Sequence, residues 1–155
     1  MTEVERLAAI EEIRLLKALY CRCCDSKDWD GFESLFTADA IYDLRGADRV
    51  DGDHEAGSHF GASAYQVGAA AIGARVRSVG QQFHSVHHCH TAELHILSDS
   101  EASGIWAFED RLVWQEGGPL KSMHGFGHYH ETYVRIGGVW KIKTMKVTRL
   151  RVDLG

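Results

Sequence analysis

The fold is read first from residues 81–96, Gln81-Gln82-Phe83-His84-Ser85-Val86-His87-His88-Cys89-His90-Thr91-Ala92-Glu93-Leu94-His95-Ile96. The second half alternates, with Ala92, Leu94 and Ile96 on one side and Thr91, Glu93 and His95 on the other. That period of two marks a strand. Unbroken alternation puts Val86, His88 and His90 on the Leu94 face and His87 and Cys89 on the opposite one. The stretch carries His84, His87, His88, His90 and His95, half of the chain's ten histidines. Imidazole titrates closest to neutrality, so this is where proton chemistry or a metal is sought first.

Downstream the same period continues. Strands are expected at about 82–97, 101–115, 120–135 and 139–152. The breaks at Ser98-Asp99-Ser100, Glu116-Gly117-Gly118-Pro119 and Gly137-Gly138 have turn chemistry. Long strands joined by short turns give an antiparallel meander.

Upstream the period changes. Leu7, Ile10, Ile13, Leu16, Tyr20 and Cys24 recur at intervals of three and four, which predicts an amphipathic helix over 3–25. Thr2 is its N-cap, and Glu5 completes a capping box. On that helix Tyr20 and Asp25 lie about 140° apart and share no face unless the helix ends or bends there. Asp25-Ser26-Lys27-Asp28 reads as the ending, and Asp28 caps a second helix from Trp29 to Phe36. Thr37-Ala38-Asp39-Ala40 reads as a turn into a strand from Ile41 to Leu44. Residues 45–60 read as irregular, and a third helix is expected from about Ser63 to Arg77. Helices first and hairpins afterwards define an α+β fold, one domain over 1–155, with helices packed on one face of a curved sheet.

Composition narrows the function. Hydrophobic residues make up 45% and charged residues 25% of the 155, as in soluble globular chains. A net charge of −5 argues against nucleic acid as a main partner. No apolar run reaches the roughly 18 residues of a membrane span. The first residues lack the features of a signal peptide, so a cytoplasmic location is expected. The four cysteines then read as free thiols. Cys21 and Cys24 form a C-x-x-C, but late in a helix, away from the N-terminal position that activates such pairs. Asp51, Asp53 and Glu55 suggest a calcium loop, yet the required glycine and final glutamate are displaced. No nucleophile elbow, phosphate loop or H-E-x-x-H occurs.

On the second long strand Trp106, Phe108, Asp110, Leu112 and Trp114 share a face. A carboxylate within an aromatic row needs a partner or serves a cavity. Arg149 and Arg151 alternate with Leu150 and Val152, giving the last strand one cationic side. His88-Cys89-His90 and His128-Tyr129-His130 could together hold zinc or iron if the two pairs faced each other.

Several segments carry a resemblance: Leu19-Tyr20, Asp25 to Asp30, Leu35 to Ala40, Val86-His87-His88, Ile105 to Asp110, Gly127 to Tyr133, Trp140-Lys141-Ile142 and Thr148-Arg149-Leu150. Together they resemble the SnoaL-like proteins of the nuclear transport factor two-like superfamily, the cone-shaped α+β barrel. Within it the spacing is most similar to the bile acid dehydratases, with a more distant likeness to the scytalone dehydratases and the hexachlorocyclohexane dehydrochlorinases. The resemblance implies a pocket between the helices and the concave sheet. It implies catalytic roles for Tyr20, Asp25 and His87, with His84 and His88 as alternatives for the base. Asp110 and Arg149 would bind substrate beside Trp106 and Phe108. The expected activity is a cofactor-independent lyase (dehydratase) or isomerase with no metal. Its substrate would be a small apolar cyclic molecule of steroid or polyketide type. A non-catalytic binder of such a ligand and a metal enzyme built on the H-x-H pairs are the alternatives. A homo-oligomer, dimer or trimer, is expected.

Overall fold

In the computed structural model of the protein, residues 1–48, 50 and 64–155 are described. Helix α1 (Glu3–Asp25) opens with the capping box: Glu5 N–H donates to Thr2 Oγ1, and Thr2 N–H donates to Glu5 Oε2. Helix α2 (Trp29–Ser34) starts at Asp28, whose carboxylate accepts from Gly31 N–H. It is shorter than its apolar pattern suggested, because Phe36 already begins strand β1 (Phe36–Asp43). Thr37 to Ala40 is thus strand, not turn. A register irregularity between Phe36 and Ile41 replaces the turn that their composition mimicked. Strand β2 (Tyr65–Val67) and helix α3 (Ala69–Gly80) follow. The third helix therefore starts later than expected and continues to Gly80. Asp51, Asp53, Glu55 and the expected helix start at Ser63 lie outside the described residues.

Strands β3 (Phe83–Ile96), β4 (Glu101–Trp114), β5 (Ser122–Ile136) and β6 (Val139–Leu154) form the expected meander. Strand β1 joins β6 in parallel, giving the order β2-β1-β6-β5-β4-β3. The curved sheet is not closed: β2 and β3 are its two edges. The concave face is covered by α1 and its neighbours. Ile13, Leu16 and Tyr20 of α1 pack with Phe32, Phe36 and Tyr42 and with Phe108 and Tyr129 of the sheet. Each such side chain contributes about 1.5–3 kcal/mol on burial. Leu7 fits the helical period but is 55% exposed, because α1 reaches the sheet only after its first turns.

Bulges bend the sheet and reset its faces. Opposite Ala107, β3 carries the two residues His90 and Thr91, since Cys89 pairs with Phe108 and Ala92 with Trp106. The parity reverses there, so Ser85, His87, Cys89, Ala92 and Leu94 all face inward. Unbroken alternation had put Leu94 with His88 and His90, and the bulge overturns that. A second bulge leaves Leu150 opposite the junction of Phe126 and Gly127. Arg149 is therefore buried while Arg151 is exposed and paired to Asp153. Arg149 and Arg151 therefore do not share a face.

Candidate active site

The site is built where α1 stops. Asp28 N–H donates to Cys23 O (2.9 Å) and Lys27 N–H to Cys24 O (3.3 Å), with Lys27 left-handed at φ 64°. This is a Schellman ending with lysine where glycine is usual. That conformation costs roughly 1–2 kcal/mol for a residue with a Cβ. The Lys27 ammonium offsets the cost by donating to Gly80 O (2.6 Å) and Phe83 O (2.8 Å), which ties the helix end to the start of β3. Asp25 is left in the last turn, at the negative end of the helix dipole, where a carboxylate is locally unfavourable by about 0.3–1 kcal/mol. Strand β3 compensates it. Ser85 Oγ donates to Asp25 Oδ1 (2.9 Å), His87 N–H donates to Oδ2 (2.8 Å), and the His87 ring Nδ1 lies 2.6 Å from Oδ1.

Nδ1 is committed to Asp25, so Nε2 remains for chemistry, and His87 lines the main cavity with Asp25 behind it. The His87 side chain is 10% exposed and that of Asp25 24%. Burial alone would lower the His87 pKa. The hydrogen bond to Asp25 and the charges of Asp110 and Asp25 outweigh it and raise the pKa above the ordinary value. Burial pushes Asp25 up, but the hydrogen bond and charge of His87 prevail and hold it below the carboxylate range. His84 and His88 lie on the exposed outer face, so of the three sequence candidates only His87 meets Asp25.

Asp110 and Arg149 form the opposite wall. The guanidinium donates twice to the carboxylate, at 2.9 and 2.8 Å, and also to Ala47 O. Their side chains are 6% and 2% exposed. A Cβ on Gly125 would come within 2.5 Å of the guanidinium and 2.6 Å of the Asp110 carboxylate, and one on Gly127 within 2.0 Å of Thr148 O. These two β5 glycines give room for the ion pair and the bulge. Phe108 stacks on Tyr129 at 3.9 Å and carries the guanidinium 4.9 Å above its ring.

Tyr20 hydroxyl lies 3.2 Å from that of Tyr42, and both line the cavity. Burial pushes both phenols up, so they stay protonated as donors. The sequence reading missed Tyr42 and Tyr129; the inward parity of Tyr42 in an Ile-Tyr-Asp strand was the available signal. It also missed Lys17, although Lys17 falls within the apolar stripe between Ile13 and Tyr20. Its ammonium lies 2.5 Å from Glu131 and 3.4 Å above the Tyr129 ring. Tyr133 donates to Glu131 and accepts from Trp106 Nε1 (2.7 Å). Trp106 belongs to this buried network and not to the lining of the main cavity, which corrects its expected place beside Phe108.

The two H-x-H pairs do not face each other. His88 and His90 approach Glu109, which is bonded to His124 Nε2 (2.8 Å), whereas His130 bonds Thr148 across β5 and β6. Strand β4 separates the pairs. Among the described residues, Cys24, Asp25 and His87 bring potential ligand atoms within 4.8 Å, but two of the three already satisfy one another. No described helix is long and apolar enough to cross a membrane.

The chain is similar over 141 residues to a curated fungal protein, the probable cyclase FGR4 of Gibberella zeae, with 27% identity over 89% of each chain. Solved structures share the fold. A candidate scytalone dehydratase of Novosphingobium aromaticivorans superposes with a TM-score of 0.78 at 16% identity, covering 98% of this chain and 91% of that one. A hexachlorocyclohexane dehydrochlorinase, LinA-type3 of Novosphingobium barchaimii, gives 0.75 at 18% identity, covering 99% and 94%. The profile of the SnoaL-like domain matches residues 5–146. The chain belongs to the SnoaL-like domain family.

Proposed function

We propose that the protein is a cofactor-independent lyase that eliminates water from a small, largely apolar cyclic β-hydroxy ketone, with His87 as general base. The observation that carries this reading is the Asp25–His87 pair at the cavity wall, with Nδ1 bound to the carboxylate and Nε2 left to the cavity. Nε2 takes the proton from the carbon beside the carbonyl. The carbon–carbon double bond forms as the hydroxyl leaves the next carbon, and a proton accompanies it out as water. Asp25 holds the tautomer and stabilises the imidazolium. Tyr20 or Tyr42 donates to the carbonyl or to the leaving hydroxyl. Asp110 is bound on both oxygens by Arg149, so the two act as a fixed polar wall that orients substrate and not as a second base. Aromatic and aliphatic side chains from Phe83, Phe108, Leu112 and Val147 complete the lining and favour an apolar ring. Family membership and the dehydratase and cyclase relatives support a lyase or isomerase of this general kind.

The test is elimination by the wild type, His87→Gln and Asp25→Asn proteins on a panel of cyclic β-hydroxy ketones, followed by the enone absorbance. Turnover lost in His87→Gln supports the assignment; turnover that survives both changes contradicts it. A ligand bound with equal affinity by all three proteins, and never converted, favours the binding protein instead.

A further inference from the structure

We propose that Cys21 of α1 and Cys89 of β3 are an oxidation site, closing a disulfide that locks the helix onto the strand in the presence of hydrogen peroxide. Their sulfurs lie 3.6 Å apart. The pair is the next rung of the contact that carries Asp25 and His87. Cys21 precedes Asp25 by four residues, one turn along the same helix face. Cys89 follows His87 by two residues on the same inward strand face. Closing the bond to about 2.05 Å needs sulfur movements of about 1.5 Å, within the reach of side-chain rotation.

The thiols are free and only partly buried. They line an open groove with Arg14, Lys17 and Trp106, on the far side of His87 from the main cavity. Peroxide therefore reaches them without entering the proposed substrate pocket. The hydrogen bond between the two thiols and the Lys17 charge favour a thiolate within the pair, and burial opposes it. One sulfur of the pair attacks and the other resolves. The thiolate sulfur attacks one peroxide oxygen, the O–O bond breaks, and hydroxide leaves and is protonated to water. The second sulfur of the pair then displaces the oxygen of that sulfenic acid as a second water. Two thiols lose two electrons and two protons, and one peroxide becomes two waters. Neighbouring thiols are poor competitors. Cys23 is bonded to Asp28, and burial pushes Cys24 up to about 12. The C-x-x-C read in the helix is not the pair; the partner of Cys21 comes from the sheet.

The bridge closes a loop of 68 residues, so restricting the unfolded chain should raise the unfolding midpoint by roughly 5 °C or more. The experiment treats the full chain with hydrogen peroxide, blocks remaining thiols with N-ethylmaleimide and maps peptides without reduction. The expected result is a Cys21–Cys89 cross-link, an intact mass lower by about 2 Da before the maleimide is added, and a midpoint increase that dithiothreitol reverses. Cys89→Ser should abolish the cross-link and the increase, while Cys24→Ser should keep both. Maleimide-blocked Cys21 and Cys89 after oxidation, a bridge to Cys23 or Cys24, or a cross-link without a midpoint increase would each overturn the proposal. None of these readouts depends on turnover, so they stay distinct from the test of His87.

Discussion

Two carboxylates flank one cavity, and each is held by a basic side chain in a different way. Asp110 is clamped by Arg149 through two hydrogen bonds at 2.8–2.9 Å, with both side chains almost fully buried. Asp25 meets a histidine at 2.6 Å on a partly exposed edge. The guanidinium keeps its proton at any pH a folded protein survives. The imidazole does not. Both pairs need desolvated charge to be matched, but only one can pass a proton to a substrate. Under the proposed mechanism the contrast separates a fixed wall from a base, though the sequence shows both as an acid and a base at long separation.

The largest effect expected from breaking this division is on turnover. His87→Gln should lower kcat about 10²–10⁴-fold while the unfolding midpoint stays near that of the wild type. Arg149→Met should act first on stability. It leaves Asp110 buried without its partner and should cost about 3–5 kcal/mol in chemical denaturation. Replacing both residues, as Asp110→Leu with Arg149→Met, should recover most of that loss. A large loss of stability in His87→Gln, or none in Arg149→Met, would erase the distinction.

Asp25→Asn comes next, with a loss of roughly 10²-fold in rate as the tautomer is no longer enforced. Its pH dependence sharpens the comparison. The raised His87 pKa means that the pair stabilises the fold fully below the ordinary imidazole value of about 6.5 and loses that contribution as pH rises through the raised value. The lowered Asp25 pKa means that its share is present above the ordinary carboxylate value of about 3.9 and fades as pH falls through the lowered one. The proposed mechanism needs neutral His87, so the acidic limb of activity should sit above the ordinary histidine value in the wild type and shift downward in Asp25→Asn.

Gly125→Ala is a smaller perturbation, about 1–3 kcal/mol, because its methyl must displace the Asp110–Arg149 pair. His88→Ala should change stability by no more than about 0.5 kcal/mol and leave turnover intact, since His88 is exposed on the outer face.

The contrast between His87 and His88 also shows what the sequence could disclose. The period of two identified four long strands, because each buries one face and the alternation follows from the pleat. It set His87 and His88 on opposite faces but could not place Leu94, because the extra residue at His90 and Thr91 costs nothing visible in composition. The same limit hid the outward turn of Arg151, where Leu150 bulges. Asp25 was legible as a helix end. The left-handed Lys27 that ends the helix and ties it to β3 was not, because no lysine announces that conformation. Trp106 shared a face with Phe108 as read, yet it is drawn into the Lys17–Glu131–Tyr133 network. Face assignments place a side chain above the sheet without saying which neighbour claims it.

The central claim is that Asp25 sets the protonation of His87. Nitrogen-resolved NMR titration of the His87 ring, in the wild type and in Asp25→Asn, tests it without a substrate. The account predicts a neutral ring protonated on Nδ1 and a pKa above the ordinary histidine value in the wild type, falling in Asp25→Asn while the fold is kept. A His87 that titrates at the ordinary value, or one unchanged by the loss of the Asp25 charge, would contradict it.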